Sequence, residues 1–346
     1  MSTVSRNERG ETTGCSRKPA KLDARAVSKR FAVDESLWAR LTGARTYVHA
    51  VSDVSLTLRE GETLGLVGES GSGKSTLAHL FVGLYEPTTG HIRFEGKPVG
   101  AVGDRPAEIL SEVGMVFQNP LSSLDPRFTV EGAIAEPLKT QGWSLERREA
   151  RTMELLDLVG LSETHLDRYP HELSGGQAQR VAIGRALAPS PSVLIFDEPV
   201  SALDVSIQAK VLNLLMELQA DLELTVLFIA HDLSVVEHIA DRVAVMYLGE
   251  LMEVAPAEQL FASPAHPYTE ALLSAIPSVD PTSDDSDRVI PEGDVPSLVH
   301  PPEGCVFHAR CPRAEPRCAE TDPDARPAGK GRSRCLFADE VYPGDD

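Results

Sequence analysis

No stretch of the chain approaches the ~18 consecutive apolar residues that a membrane-spanning helix requires, so the chain is not expected to cross a bilayer itself. Positive charge is scarce: 33 Lys and Arg stand against 52 Asp and Glu, a formal net charge of −19. That balance argues against a broad nucleic-acid-binding surface. The opening residues MSTVSRNERGETTGCSRKPAK contain no apolar signal core, and they read as a disordered cytoplasmic tail with nothing marking it for export. Internal repeats and sustained heptads are absent, as are the short C-x2-4-C knuckles favoured by structural zinc. What is there is a chain of 346 residues, 42% hydrophobic, long enough for a large core and more than one domain.

Residues 68 to 76 read GESGSGKST. The spacing from Gly68 to Gly73, followed by Lys74 and Ser75, is that of a phosphate-binding loop. Gly68, Gly71 and Gly73 let the backbone curl so that N–H groups converge on one anion, with Glu69, Ser70 and Ser72 between them. Lys74 would reach the β- and γ-phosphates, and the Ser75 hydroxyl, next to Thr76, would ligate magnesium. A strand-like run, TLGLVG, precedes the loop. Leu77, Leu80, Phe81 and Leu84 follow it at helical spacing.

The apolar run VLIFDEP (193 to 199) ends in two carboxylates, as a parallel-sheet strand does when it delivers charge to a crevice. Asp197 would hold the magnesium shell, and Glu198 would face the attacking water as general base or polariser. Two other strand-like runs close with polar residues, Gln118 after VGMVF and His231 after TVLFIA. In LSGGQ (173 to 177), Ser174 and Gln177 have capping-box spacing, so a helix should start there with Gly175 and Gly176 exposed. By itself that is an ordinary capped helix.

Taken in order, GESGSGKST, the glutamine of MVFQNP, LSGGQ, VLIFDEPVSALD and IAHD resemble the ATP-binding subunits of ABC transporters. The resemblance implies ATP and Mg2+ as cofactors, and a head-to-tail dimer with a second ATP-binding subunit, either another copy or a paralogue. Lys74, Ser75, Thr76, Asp197, Glu198, Gln118 and His231 would then act in one half-site. Ser174, Gly175, Gly176 and Gln177 would close the other. It further implies that Asp204 lies at the dimer seam, that Gln118 contacts magnesium and reports to a transmembrane subunit, and that His231 contacts the γ-phosphate. The adenine-stacking aromatic would be Phe31, with Tyr47 as the alternative.

A closer resemblance, to the oligopeptide/dipeptide importer ATPases, comes from FQNPLSSLDPRFTV, EPVSALDVSIQAKVLNLL and HPYTEALLSAIP. It implies ATP hydrolysis that powers peptide import at the cytoplasmic face of the membrane. Two transmembrane permease subunits and, indirectly, an external peptide-binding protein would be partners. The alternatives are another cargo such as nickel or sugar, and a soluble non-transport ABC ATPase.

Four of the five cysteines, Cys305, Cys311, Cys318 and Cys335, crowd into the last 42 residues with spacing C-x5-C-x6-C-x16-C. Four thiolates suffice for an iron–sulfur cluster, and the resemblance implies a [4Fe-4S] centre, with zinc and unligated packing as alternatives. The expected fold class is α/β: an ABC-type P-loop nucleotide-binding domain over 22–262, with a mainly parallel sheet, an antiparallel β portion near 22–62 and a helical insert near 119–180. A small C-terminal extension over 263–346 would follow, with an exposed linker at 277–287, and residues 1–21 form the tail.

Overall fold

The computed structural model describes residues 18–33, 46–100, 106–276, 291 and 293–341. Residues 1–17 of the expected tail, residues 34–45 and the expected linker at 277–287 lie outside the described residues.

Three short apolar runs set the architecture. TLGLV, VLIFD and TVLFI are buried at every position, the signature of strands covered on both faces in a parallel sheet. In chain order the strands are β1 (Ala20–Ala32), β2 (Tyr47–Arg59), β3 (Thr63–Val67), β4 (Thr89–Phe94), β5 (Lys97–Pro98), β6 (Val113–Val116), β7 (Val193–Asp197), β8 (Thr225–Ile229), β9 (Arg242–Tyr247), β10 (Glu250–Pro256), β11 (Arg326–Ala328) and β12 (Gly331–Ser333). Among the described residues, the helices of eight residues or more are α1 (Lys74–Phe81), α2 (Val130–Thr140), α3 (Leu145–Leu158), α4 (Gly175–Leu187), α5 (Val205–Asp221) and α6 (Pro267–Ser274).

The larger sheet runs β11-β12-β10-β9-β3-β8-β7-β6. It is parallel from β9 to β6 and antiparallel from β9 outward. The smaller sheet, β2-β1-β4-β5, is antiparallel. The antiparallel part thus extends beyond the expected 22–62 stretch, because β4 and β5 return to it after α1. In β4 only Ile92 and Phe94 are buried, the one-sided alternation of a strand with a single face on the core.

Adjacent residues of β7 point into different cores, as strand geometry requires. Leu194 and Phe196 join Ile134, Leu155 and Ile183 on the side of α2, α3 and α4. Val193 and Ile195 join Leu22, Val54, Leu77 and Phe81 between the two sheets. Helix α1 buries Leu77, Leu80 and Phe81 as expected, but Leu84 is 46% exposed. Gly83, in the left-handed region at φ 67°, ends the helix first. Its N–H donates to Leu80 O and that of Leu84 to His79 O, the paired bonds of a glycine-terminated helix.

In the helical insert, Thr129 caps α2 by accepting from Gly132 N–H, and Ser144 caps α3 by accepting from Arg147 N–H. The cysteine-bearing end of the chain does not hang free of the core. Strand β12 pairs with β10, Glu253 opposite Ser333, and so extends the larger sheet by two strands. The Glu253 carboxylate, buried beneath, accepts from the N–H groups of Ala265 and His266 and anchors the turn into α6. No helix among the described residues is long and apolar enough to cross a membrane.

Candidate functional site

Between β3 and α1 the backbone takes a course that side chains would obstruct. Gly68 has φ 151°, and a Cβ there would meet Met246 O at 2.0 Å. Gly73, which precedes the first turn of α1, has φ 103°, and its Cβ would meet Ala50 O at 2.2 Å. Only glycine fits both positions. Ser70 and Gly71 lie at the exposed crest, while Ser72 is buried and Thr76 half-buried.

The loop curls around Lys74, whose Nζ donates to Gly68 O at 2.8 Å and Glu69 O at 2.9 Å, with Ser72 Oγ at 3.4 Å. Burial lowers the lysine pKa, while the nearby carboxylates of Glu198, Asp197 and Glu69 oppose the shift. One residue on, Ser75 Oγ donates to Asp197 Oδ1 at 2.9 Å. Desolvation raises the Asp197 pKa, and the Ser75 bond works against it.

Glu198 sits in the left-handed region at φ 46°, a conformation that costs a non-glycine residue on the order of 1–3 kcal/mol. Its N–H donates to Ile229 O at the end of β8, which braces the turn. The carboxylate is aimed into the crevice, where Gln118 Nε2 donates to Oε2 at 3.0 Å and His231 Nδ1 stands 3.3 Å from the same oxygen. Four strand ends, β3, β6, β7 and β8, therefore converge their polar residues at the carboxyl edge of the parallel sheet. Gln118 engages Glu198 here rather than the Ser75–Asp197 pair.

The remaining expected residues stand elsewhere. Ser174 and Gln177 form the reciprocal capping box, with Ser174 Oγ accepting from Gln177 N–H and Gln177 Oε1 accepting from Ser174 N–H. Gln177 Nε2 also lies 3.1 Å from His165 Nε2. Gly175 and Gly176 follow at the exposed start of α4, where a Cβ on Gly176 would meet Ile207 Cγ2 at 2.7 Å. Among the described residues no hydrogen bond links this helix end to the phosphate loop. Asp204 is exposed at the N-cap of α5. Phe31 meets Tyr85 edge-on, ring centroids 5.2 Å apart, with Lys29 Nζ 5.2 Å from the ring centroid. Tyr47 pairs with the neighbouring Ala32.

The four C-terminal cysteines do gather, lining one cavity with His266, Phe307 and Phe337. The cavity holds about 20 Å³, room for roughly one water molecule. Burial raises the thiol pKa values of Cys305, Cys311 and Cys335, the first to about 12, so Cys305 is a neutral thiol at neutral pH. Among the described residues no group of three or more His, Cys, Asp or Glu side chains is arranged to hold a metal ion. The expectation of a [4Fe-4S] centre on Cys305, Cys311, Cys318 and Cys335 is therefore not supported. The thiols face one cavity without a ligand geometry.

Magnesium is a different matter. It is held through one or two carboxylates together with substrate phosphates, and the adjacent Ser75 and Asp197 oxygens fit that donor set. Sequence reasoning missed two residues that touch the loop. Tyr268 OH accepts from the Glu69 N–H, and Arg310 bonds the Glu69 carboxylate. The only local signal for either is that Tyr268 belongs to the HPY segment.

Residues 51–201 match the family described as ABC transporter, and residues 252–318 match that described as oligopeptide/dipeptide transporter, C-terminal region. Over 311 residues the chain is 48% identical to the oligopeptide transport ATP-binding protein AppF of Bacillus subtilis, covering 89% of this chain and 94% of that one. The oligopeptide transport ATP-binding protein OppF of Salmonella typhimurium is 49% identical over 84% of this chain and 89% of its own. For the di/tripeptide transport ATP-binding protein DppF of Pseudomonas aeruginosa the figures are 44%, 92% and 98%. Among solved structures, the ATP-binding cassette MJ0796, a dimer in a post-hydrolysis state with ADP and Pi, superposes with a TM-score of 0.58 at 30% identity. It covers 68% of this chain and 98% of that one.

Proposed function

The chain belongs to the ABC transporter ATP-binding proteins, in the oligopeptide/dipeptide transport group, and from that premise we propose that it hydrolyses ATP to power import of di- and oligopeptides. The observation that carries the ATPase reading is the Glu198 carboxylate, held by Gln118 and His231 one residue beyond the Asp197–Ser75 pair. The cargo rests on the matched C-terminal region and on the relatives' names.

In this reading the loop N–H groups from Ser70 to Thr76 and the start of α1 bind the nucleotide phosphates. Lys74 exchanges its bonds to Gly68 O and Glu69 O for phosphate oxygens. Ser75 and Asp197 would hold magnesium, which neutralises charge on the phosphates when bound. Glu198 accepts the proton of the attacking water, and its fixed backbone and two side-chain partners orient it for that task. His231 positions the water and faces the terminal phosphate. Gln118, bonded to Glu198, lies where nucleotide state can be relayed along the helical insert. Phe31, or Tyr47 beside it, stacks on adenine.

Ser174, Gly175, Gly176 and Gln177 serve the phosphate loop of a second ATP-binding subunit, a copy or a paralogue, with Asp204 at the seam. The exposed, self-capped start of α4 supports that role, as does the dimeric state of the similar cassette. Two membrane permeases bind at the cytoplasmic face, and an external binding protein delivers the peptide.

The test is uptake of radiolabelled di- and oligopeptides by cells with this chain as the only ATPase of its kind and by cells lacking it. Uptake that depends on the chain supports the reading. Chain-dependent uptake of nickel or sugar, with peptides excluded, would replace the cargo.

A further inference from the structure

The phosphate loop contains an acid. Glu69 directly follows Gly68, and its charge is felt at Lys74 Nζ. A carboxylate beside a site for a polyphosphate repels its own ligand unless something cancels it. Arg310, 241 positions further along the chain, does so. Its Nη1 donates to Glu69 Oε1 at 3.1 Å and Oε2 at 2.9 Å.

The arginine is built in rather than draped over the surface. Its side chain is 10% exposed, and Nη1 also meets the Tyr247 hydroxyl at 3.3 Å. It ends the short turn His308–Arg310, and its N–H donates to Phe307 O. Phe307 is fully buried with its ring 5.3 Å from Tyr247 and 5.2 Å from Tyr268. Tyr268, also fully buried, accepts the Glu69 N–H at 2.9 Å. Glu69 is thus gripped twice, by its side chain and by its backbone, from segments beyond β10.

We propose that Arg310 and Tyr268 are positioning residues for the phosphate loop, with Arg310 cancelling the Glu69 charge beside the nucleotide phosphates and Tyr268 fixing the loop's entry. Nucleotide affinity is then set in part by the C-terminal extension. The inference rests on the reading that this loop binds ATP.

Its test is equilibrium binding of Mg-ATP to the full chain, with thermal unfolding recorded on the same samples. Arg310→Gln should weaken binding about tenfold or more. Adding Glu69→Gln to that variant should restore affinity to within about threefold of wild type, because the repulsion leaves with the carboxylate. The weakening in Arg310→Gln should also shrink at high salt. If Arg310→Gln does not fold, Arg310→Lys takes its place, with a smaller loss rescued in the same way. Unchanged affinity in the arginine variants would overturn the proposal. So would a double variant as weak as the single, since a purely structural staple is not repaired by removing its other half. Wild-type protein that binds no ATP would instead overturn the nucleotide reading beneath it.

Discussion

The phosphate-loop cluster and the thiol cavity are both places where a few reactive residue types gather from distant parts of the chain. In the first, the polar groups meet at bonding distance: Ser75 on Asp197, Gln118 and His231 on Glu198, Lys74 on the loop carbonyls. In the second, four thiols face one apolar space without forming a ligand set. The difference lies in the backbone. Strand ends and left-handed glycines fix where the polar groups of the first site must point, whereas three of the four cysteines sit on loops and Cys318 on the short helix Pro316–Glu320.

Four predictions bear on that contrast. The largest effect is expected from Glu198→Gln, which should reduce ATP turnover by ~10²-fold or more while leaving Mg-ATP bound, as read by steady-state hydrolysis and equilibrium binding. Turnover near wild type would remove Glu198 from the base role. Next, Gly68→Ala should weaken Mg-ATP binding by roughly tenfold or more, since its Cβ would meet Met246 O at 2.0 Å and shift the loop. Retained affinity would show that the loop tolerates the displacement.

The third prediction concerns His266, at the junction of the two regions. Burial lowers its pKa to about 3 from an ordinary 6.5, and Nδ1 accepts the Tyr268 N–H as a neutral ring. The unfolded chain therefore binds the proton first, so the stability due to this ring is complete above about pH 6.5 and lost progressively toward pH 3. In urea unfolding, the advantage of wild type over His266→Asn should shrink between pH 7 and pH 5. A constant difference would mean that the imidazole does not titrate on unfolding. Smallest is Cys305→Ser, which should cost about 1–3 kcal/mol of unfolding stability by burying a hydroxyl in the cavity, with turnover per folded molecule preserved. A collapse of folding that tracks metal loss would reverse the account of the thiols.

Local pattern carried the phosphate loop, the adjacent Asp197 and Glu198, and the capping box of Ser174 and Gln177, because each is a device completed within a few residues. The parallel strands were legible as unbroken apolar runs. Pairings between distant segments were not legible. Leu84 continued a helical pattern that Gly83 had already ended. Nothing near 326–333 announces strands that join β10, and nothing near Arg310 announces Glu69. The cysteine spacing is compatible with thiols that gather, but does not show whether they form a ligand set.

The central claim is that hydrolysis at Glu198 drives peptide import. Its most direct test is ATP hydrolysis and labelled-peptide uptake measured together in inside-out-corrected membrane vesicles from cells carrying either wild type or Glu198→Gln as the only copy. Both activities should fall together in the variant while the protein stays membrane-bound and folded. Peptide uptake that continues after hydrolysis is lost would contradict the account.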